Sequence, residues 1–322
     1  MLSADVRLEW FVSFLAVIDT GSFVAAAEST RRSQPRVSTH VASLEREIGL
    51  PLFDRRKRPV ELTGAGAALA VHAREILHAL ESAEASMAPW RGGTRGVVTL
   101  GSYPSASAAF VPRLLASLRR SSPDVQVVLL ERSTLELDDA LTSGAVDAYL
   151  RPMSPPPASA SARSLPLWNE PLVVVHAPEH PLARLPEPIP LGAVVEHPIV
   201  SIGRLDAPET GEFESYQLFR EHGYEVEPVQ ATNQPQTLVS LVRQGIGVGV
   251  TNWLAAQVAD TTGVEVRRLE GPAGRRVAVC WDSVRPLTPA ARTLLHGIID
   301  TEPPAGTDPT PERARARRAG PR

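Results

Sequence analysis

Residues 22–48 read SFVAAAESTRRSQPRVSTHVASLEREI, and the rest of the chain is organised around this stretch. Its first part suits a short helix in which Ala26 and Ala27, beside Phe23, leave room for a second helix to cross close by. Thr30, Arg31 and Arg32 then make a tight turn. The second helix opens at Ser33, a good N-cap, with Pro35 in the first turn, where no intrahelical N–H is needed. Val37, Val41, Leu44 and Ile48 recur at i, i+4, i+7 and i+11, a single helical stripe. On the opposite side, at about 100° per residue, lie Pro35, Thr39, Ala42 and Arg46, flanked by Arg36, Ser38 and Ser43. A face that is polar, small and partly basic suits a DNA major groove; a helical hairpin with a solvated face is the plainer alternative.

The residues that follow favour DNA. Gly49 to Thr63 reads as a short strand, a basic loop and a return strand, which makes a wing. From Arg31 to Arg58 eight basic residues stand against three acidic ones, and the flanks return to near neutral. Positive charge is therefore concentrated where phosphates would be met. Phe23, Ala26, Ala27, Ser33, Gln34, Pro35, Ser38, Leu44, Glu45, Gly49, Leu52, Phe53, Asp54, Arg55, Leu62 and Thr63 together resemble the winged helix–turn–helix signature of LysR-type transcriptional regulators. In this reading Ser33, Gln34, Pro35, Arg36, Ser38 and Thr39 approach base edges or nearby phosphates, and Arg55, Arg56, Lys57 and Arg58 serve the wing. Many family members carry basic or amide side chains where this chain has Thr39, His40, Ala42 and Ser43. That departure points to phosphate contacts and DNA shape.

Upstream, residues 7–20 form an amphipathic helix with Leu8, Phe11, Leu15 and Ile18 on one stripe, stopped by Gly21. Downstream, Thr63 can cap a long helix running to about Arg91. In it Leu69, Ala73, Ile76, Leu80, Ala83, Met87 and Trp90 alternate spacings of four and three, a coiled-coil seam. A lone helix has nothing obvious to bury this stripe against, so it reads as a dimerisation helix; a core helix of the next domain is the alternative. The family resemblance implies the same, a linker that pairs two subunits.

After a Gly-rich hinge at 91–96, short apolar runs alternate with helical stretches in βαβ order, which predicts an open, mainly parallel sheet. The fold class is α/β overall: a winged helix–turn–helix, a linker helix, and a two-lobed effector domain that the resemblance makes similar to a periplasmic binding protein. Expected boundaries are 1–63 for the DNA-binding domain, 64–93 for the linker and 94–300 for the effector domain. Lobe one takes 94–165 plus 268–300 and lobe two 166–267. Residues 301–322, rich in Pro, Thr and Arg without an apolar pattern, are expected to be disordered.

In open α/β lobes small molecules sit off the carboxyl ends of strands, near helix N-termini. Ser102, Ser105, Thr134, Arg151 and Ser201 lie at or just beyond such ends, and Thr251 closes another apolar run. The resemblance matches Ser105 and Thr134 to effector-contacting hydroxyls, and Ser201 and Thr251 more weakly. Hydroxyls, helix ends and Arg151 favour an anionic guest such as a small carboxylate; helix capping is the plainer role for Ser105 and Thr134.

The remaining features exclude more than they add. With 322 residues, 43% hydrophobic content and net charge −3, neither wholesale disorder nor membrane insertion is indicated. The single cysteine, Cys280, cannot form an intramolecular disulfide and suits a cytoplasmic setting. Acidic Asp5 and Glu9 and the lack of a cleavage site argue against a signal peptide. The Gly-rich stretches at 64–67 and 245–249 lack the context of a phosphate loop, and no metal-ligand or nucleophile motif stands out, so no enzyme, metal or cofactor is expected. The expected partners are double-stranded DNA carrying an interrupted inverted repeat, a small-molecule effector and a second copy of the chain, with a tetramer by analogy. A contact with RNA polymerase is left open. A solute-binding protein and an effector-independent DNA-binding protein are the alternatives, disfavoured by residues 1–63 and by the lobes respectively.

Overall fold

The computed structural model describes residues 6–54, 56–57, 59–86, 95–205, 213–271 and 274–319. It divides into two compact units, the first taking residues 1–92 with 142–145 and the second 93–141 with 146–322.

The first unit contains α1 (Leu8–Thr20), α2 (Phe23–Ser29), α3 (Gln34–Ile48), β1 (Phe53–Asp54), β2 (Glu61–Leu62) and α4 (Gly64–Ser86). Val37, Val41 and Leu44 are fully buried with Phe14, Val17 and Ala26 in one apolar cluster. Gly49 ends α3 at φ +76°, a left-handed conformation that glycine adopts without a Cβ penalty. The wing strands pair antiparallel, Phe53 with Leu62 and Asp54 with Glu61, and the Phe53 ring packs 5.4 Å from Phe14. Thr63 caps α4 through Oγ1, which accepts the Gly66 N–H at 3.0 Å.

Three expectations for this unit are corrected. The buried face of α1 is Phe11, Phe14, Leu15 and Val17, and Leu8 is exposed, because α1 packs against α2, α3 and α4 together. Ser33 precedes α3 in extended conformation, yet its side chain makes no capping hydrogen bond. The start of the heptad stripe is not a free seam: Ala73 is fully buried and Leu69 packs on the same core, whereas Ile76 and Leu80 are exposed. The first turns of α4 thus complete the winged unit. Met87 and Trp90 lie outside the described residues, as does the side chain of Ala83.

The second unit holds two sheets. In chain order it runs β3 (Gly96–Ser102), α5 (Pro104–Ala109), α6 (Val111–Ser121), β4 (Val125–Glu131), α7 (Thr134–Thr142), β5 (Ala148–Pro152) and β6 (Ala162–Glu170). It crosses to β7 (Leu172–His176), α8 (Leu191–Val194), β8 (Ile199–Ser201), α9 (Glu214–Glu221), β9 (Gln230–Ala231), α10 (Pro235–Arg243), β10 (Val248–Asn252), α11 (Trp253–Val258) and β11 (Glu265–Arg268). It returns through β12 (Arg275–Asp282), α12 (Pro289–Asp300), β13 (Asp308–Pro309) and α13 (Pro311–Ala319). The sheet orders are β13-β6-β12-β5-β3-β4 and β11-β7-β10-β8-β9.

The sheets are mixed rather than mainly parallel: β3 pairs parallel with β4 and β5, but β12 runs antiparallel to both β5 and β6. The crossing between lobes falls at Pro171, since β6 belongs to the first sheet, so residues 166–170 move from lobe two to lobe one. Pro166 and a register shift opposite Val277 and Ala278 break the alternation that would have marked β6 as a strand.

The tail is ordered through residue 319. β13 pairs with β6, Asp308 opposite Asn169, and Thr310 Oγ1 donates to the Pro166 carbonyl at 2.6 Å. Arg313 is buried and donates to the Thr301 carbonyl at 2.8 Å, and Trp253 Nε1 donates to Ala305 O at 3.1 Å. Polar anchors of this kind leave no apolar periodicity to read.

Candidate functional site

In the winged unit the outward face of α3 carries Gln34, Pro35, Arg36 and Thr39, all exposed, with Ser33 just before it and Ser38 half-buried. Thr39 Oγ1 donates to the Pro35 carbonyl at 2.8 Å, and Arg36 reaches Glu9 at 3.3 Å. His40 points inward. Arg32 donates to Ser13 Oγ at 3.0 Å, and Ser13 lies 2.8 Å from His40 Nδ1, so this network ties the turn to α1 and α3. Burial lowers the His40 pKa, which keeps the imidazole neutral and leaves it a positioning role behind the exposed face.

The two wing cations among the described residues, Arg56 and Lys57, are paired within the protein. Arg56 Nε lies 3.1 Å from Asp54 and Lys57 Nζ 2.6 Å from Glu61, both on the surface. The hydrogen bond from Arg56 lowers the Asp54 pKa, and Glu61 raises that of Lys57. Exposed pairs of this kind are worth little, so a phosphate can displace the carboxylate. Arg56→Ala is expected to reduce the slope of log K against log[salt] by about 0.9, one phosphate contact, on specific and random duplexes alike. An unchanged slope would remove Arg56 from the interface. Arg55 and Arg58 lie outside the described residues.

In the second unit a cleft of about 40 Å³ lies between the lobes, room for roughly three waters or the head group of a small anion. Tyr103, Ser105, Ser133 and Thr134 line it from one lobe and Gln234, Thr251 and Asn252 from the other. Neither Ser105 nor Thr134 makes a capping bond: α5 is preceded by Tyr103, and before α7 it is Ser133 whose N–H and hydroxyl both reach Glu136. The capping role is therefore set aside.

Three expected residues do not line the cleft. Ser102 is buried with its hydroxyl donating to the Tyr103 carbonyl at 3.3 Å, and Ser201 is buried 3.5 Å from Ser215. Arg151 is the larger correction. It is fully buried, paired with Asp138, and donates to the carbonyls of Pro152 (2.7 Å) and Pro155. Its charge and donors are consumed in holding the segment after β5.

The cation of the cleft is Arg275, which carried no sequence signal. Its Nε donates to Glu170 Oε1 at 2.6 Å, and its guanidinium carbon lies 4.7 Å above the Tyr103 ring. The other Glu170 oxygen accepts Asn252 Nδ2 at 3.1 Å and the Leu254 N–H at 3.2 Å. Gly274 makes this approach feasible, because a Cβ there would overlap the Glu170 carbonyl. Tyr103 Oη, Thr251 Oγ1 and Arg275 Nη2 are buried and make no hydrogen bond; Nη2 lies close to Glu170 Oε1 but off the required angle. Burial pushes the Cys280 thiol up to about 12, which makes it an inert core residue. Among the described residues no group of His, Cys, Asp and Glu could hold a metal ion, and no single helix is long and apolar enough to cross a membrane.

A winged helix–turn–helix unit followed by a two-lobed α/β unit with a polar cleft defines the class of effector-responsive DNA-binding regulators. Residues 8–67 match the bacterial regulatory helix–turn–helix family of lysR type, and residues 91–301 match the LysR substrate binding domain. The chain belongs to the LysR family of transcriptional regulators. It is 33% identical over 254 residues to the regulator IlvR of Caulobacter vibrioides, covering 76% of this chain and 81% of that one. The RuBisCO operon transcriptional regulator of Allochromatium vinosum is 30% identical, with 91% and 96% covered. Among solved structures, a full-length OxyR variant from Pseudomonas aeruginosa matches with TM-score 0.72 at 23% identity, covering 96% and 99%. CbnR complexed with its target DNA matches with TM-score 0.65 at 20% identity, covering 91% and 98%. At these identities the likeness shows the fold.

Proposed function

We propose that this regulator binds an interrupted inverted repeat as a homodimer and responds to a small carboxylate or similar anion held in the cleft of its second unit. The observation that supports an effector there is that Tyr103 Oη and Thr251 Oγ1, both buried in the cleft wall, make no hydrogen bond within the protein. Buried donors left unmade are costly, and a ligand oxygen satisfies them. The N-terminus of α7, nine residues long and opening at Thr134 in the cleft wall, adds partial positive charge. Because Glu170 already neutralises Arg275, an anion is held mainly by hydroxyls and N–H groups, which suits one small carboxylate rather than a multiply charged guest.

On DNA, α3 enters the major groove with Gln34, Pro35, Arg36, Ser38 and Thr39 while Arg56 and Lys57 reach phosphates. Pairing through α4 sets half-sites about one helical turn, ~34 Å, or a multiple apart. A tetramer and a contact with RNA polymerase extend the same reading by analogy to the family, as does a cytoplasmic location.

Isothermal titration against a carboxylate library tests the cleft. Thr251→Ala is expected to weaken the true effector about 10-fold, the worth of one hydrogen bond to a charged group. Ser105→Ala is expected to leave the melting temperature of the free protein unchanged, since Ser105 caps nothing, while shrinking the shift produced by the effector. Wild-type affinity of both variants for every hit would take the effector out of this cleft. Genome-wide mapping of bound sites, beginning with the chain's own upstream region, tests the operator.

A further inference from the structure

Glu214 is the first residue of α9, on the second lobe, and its Oε1 accepts the N–H of Ser154, just after β5 on the first. Its Oε2 is buried without a partner. Arg275 of β12, Glu170 of β6 and Tyr103 beyond β3 bear on it from three other segments; burial and Glu170 oppose the ionised form, whereas Arg275 and the N–H groups of Ser154 and Glu214 itself favour it. Arg275 already pairs with Glu170 at 2.6 Å, and one guanidinium does not neutralise two buried carboxylates. Tyr103 brings no charge, because burial raises its phenol above the usual range.

We infer that Glu214 is a proton-operated clasp between the two lobes: as a neutral acid it holds the Ser154 N–H and keeps the cleft closed, and on ionising it lets the lobes part. Ionisation in the closed form strengthens the Ser154 bond but leaves Oε2 charged, buried and without a donor, a larger cost that hydration in the opened form removes. Burial accordingly pushes the Glu214 carboxyl up to about 7 in the closed form, against about 4.5 when hydrated. The sign follows: the closed form binds the proton more tightly, so closure is fully favoured below about pH 4.5 and loses ground as pH rises through about 7. The consequence for signalling, that an anionic effector is captured more tightly at lower pH, rests on the cleft being the effector site; the clasp itself does not.

Hydrogen exchange of the full-length protein without added ligand reads the clasp directly. With rates corrected for intrinsic chemistry, protection of the Ser154 amide is expected to fall about 10-fold from pH 6 to pH 8, as two-state linkage between these pKa values requires. Glu214→Gln, which keeps the acceptor and cannot ionise, is expected to show the same protection at both pH values. A flat wild-type profile overturns the inference whether or not the variant folds, and so does an equal decline in both proteins. Because no effector is present, a pH-dependent clasp alongside inert Ser105 and Thr251 variants would retain the clasp and discard the effector reading, and the reverse pattern would do the opposite.

Discussion

Leu80→Asp is expected to halve the mass seen by light scattering and to weaken operator binding by 10²–10⁴, the loss of avidity when two linked half-site contacts become one. Leu80 is 41% exposed and Ile76 39%, one turn apart on a helix whose earlier apolar residue Ala73 is fully buried. Two exposed large aliphatic side chains in the register of a heptad are paired economically by a second copy of the same helix. Aspartate there places an unpaired carboxylate in the seam. Since Ala73 and its neighbours already complete the winged core, melting of that unit should be unaffected, which separates a pairing defect from a folding one. An unchanged mass would put the seam elsewhere.

Arg275→Ala is expected to cost about 3–5 kcal/mol of stability near neutral pH, the usual penalty for removing one partner of a buried ion pair. Arg275 is 5% exposed and Glu170 fully buried, so solvent does little to screen the charge left behind. Asn252 and the Leu254 N–H still solvate one Glu170 oxygen, but the other loses its donor. The double replacement Arg275→Met with Glu170→Gln should recover most of the loss, because no buried charge then remains. Urea unfolding checks both; a single-variant cost under about 1 kcal/mol would mean that the pair is hydrated and holds nothing in place.

The winged unit was largely legible because its information is local. The α3 stripe, the proline in its first turn, the glycine after Ile48 and the basic run between two short strands all lie within about 40 consecutive residues. Their spacing alone places Val37, Val41 and Leu44 inside and Arg36 and Thr39 outside, as the structure has them. The seam on α4 was legible as a stripe but not as to what covers it, since a periodicity records that a face is apolar and not which neighbour buries it. Leu69 and Ala73 turn inward to their own core, and Ile76 and Leu80 do not.

In the second unit most strands and helices follow from apolar runs and breakers, but β6, β13 and α13 do not. What the chain by itself determined about this protein is therefore its family, the order of most of its elements and which face of α3 is turned outward. Tertiary structure alone decided which arginine serves the cleft. Arg151 and Arg275 both lie at the ends of apolar strands, but Asp138, 13 residues away, claims the first, whereas Glu170 holds the second from a distance of 105 residues. The tail likewise became ordered by hydrogen bonds to a strand more than 130 residues earlier, Thr310 to Pro166 and Asp308 opposite Asn169. Side-chain periodicity is set by neighbours a few positions away. A buried charge or an edge strand finds its partner only after the chain has folded back on itself, and nothing local marks that partner in advance.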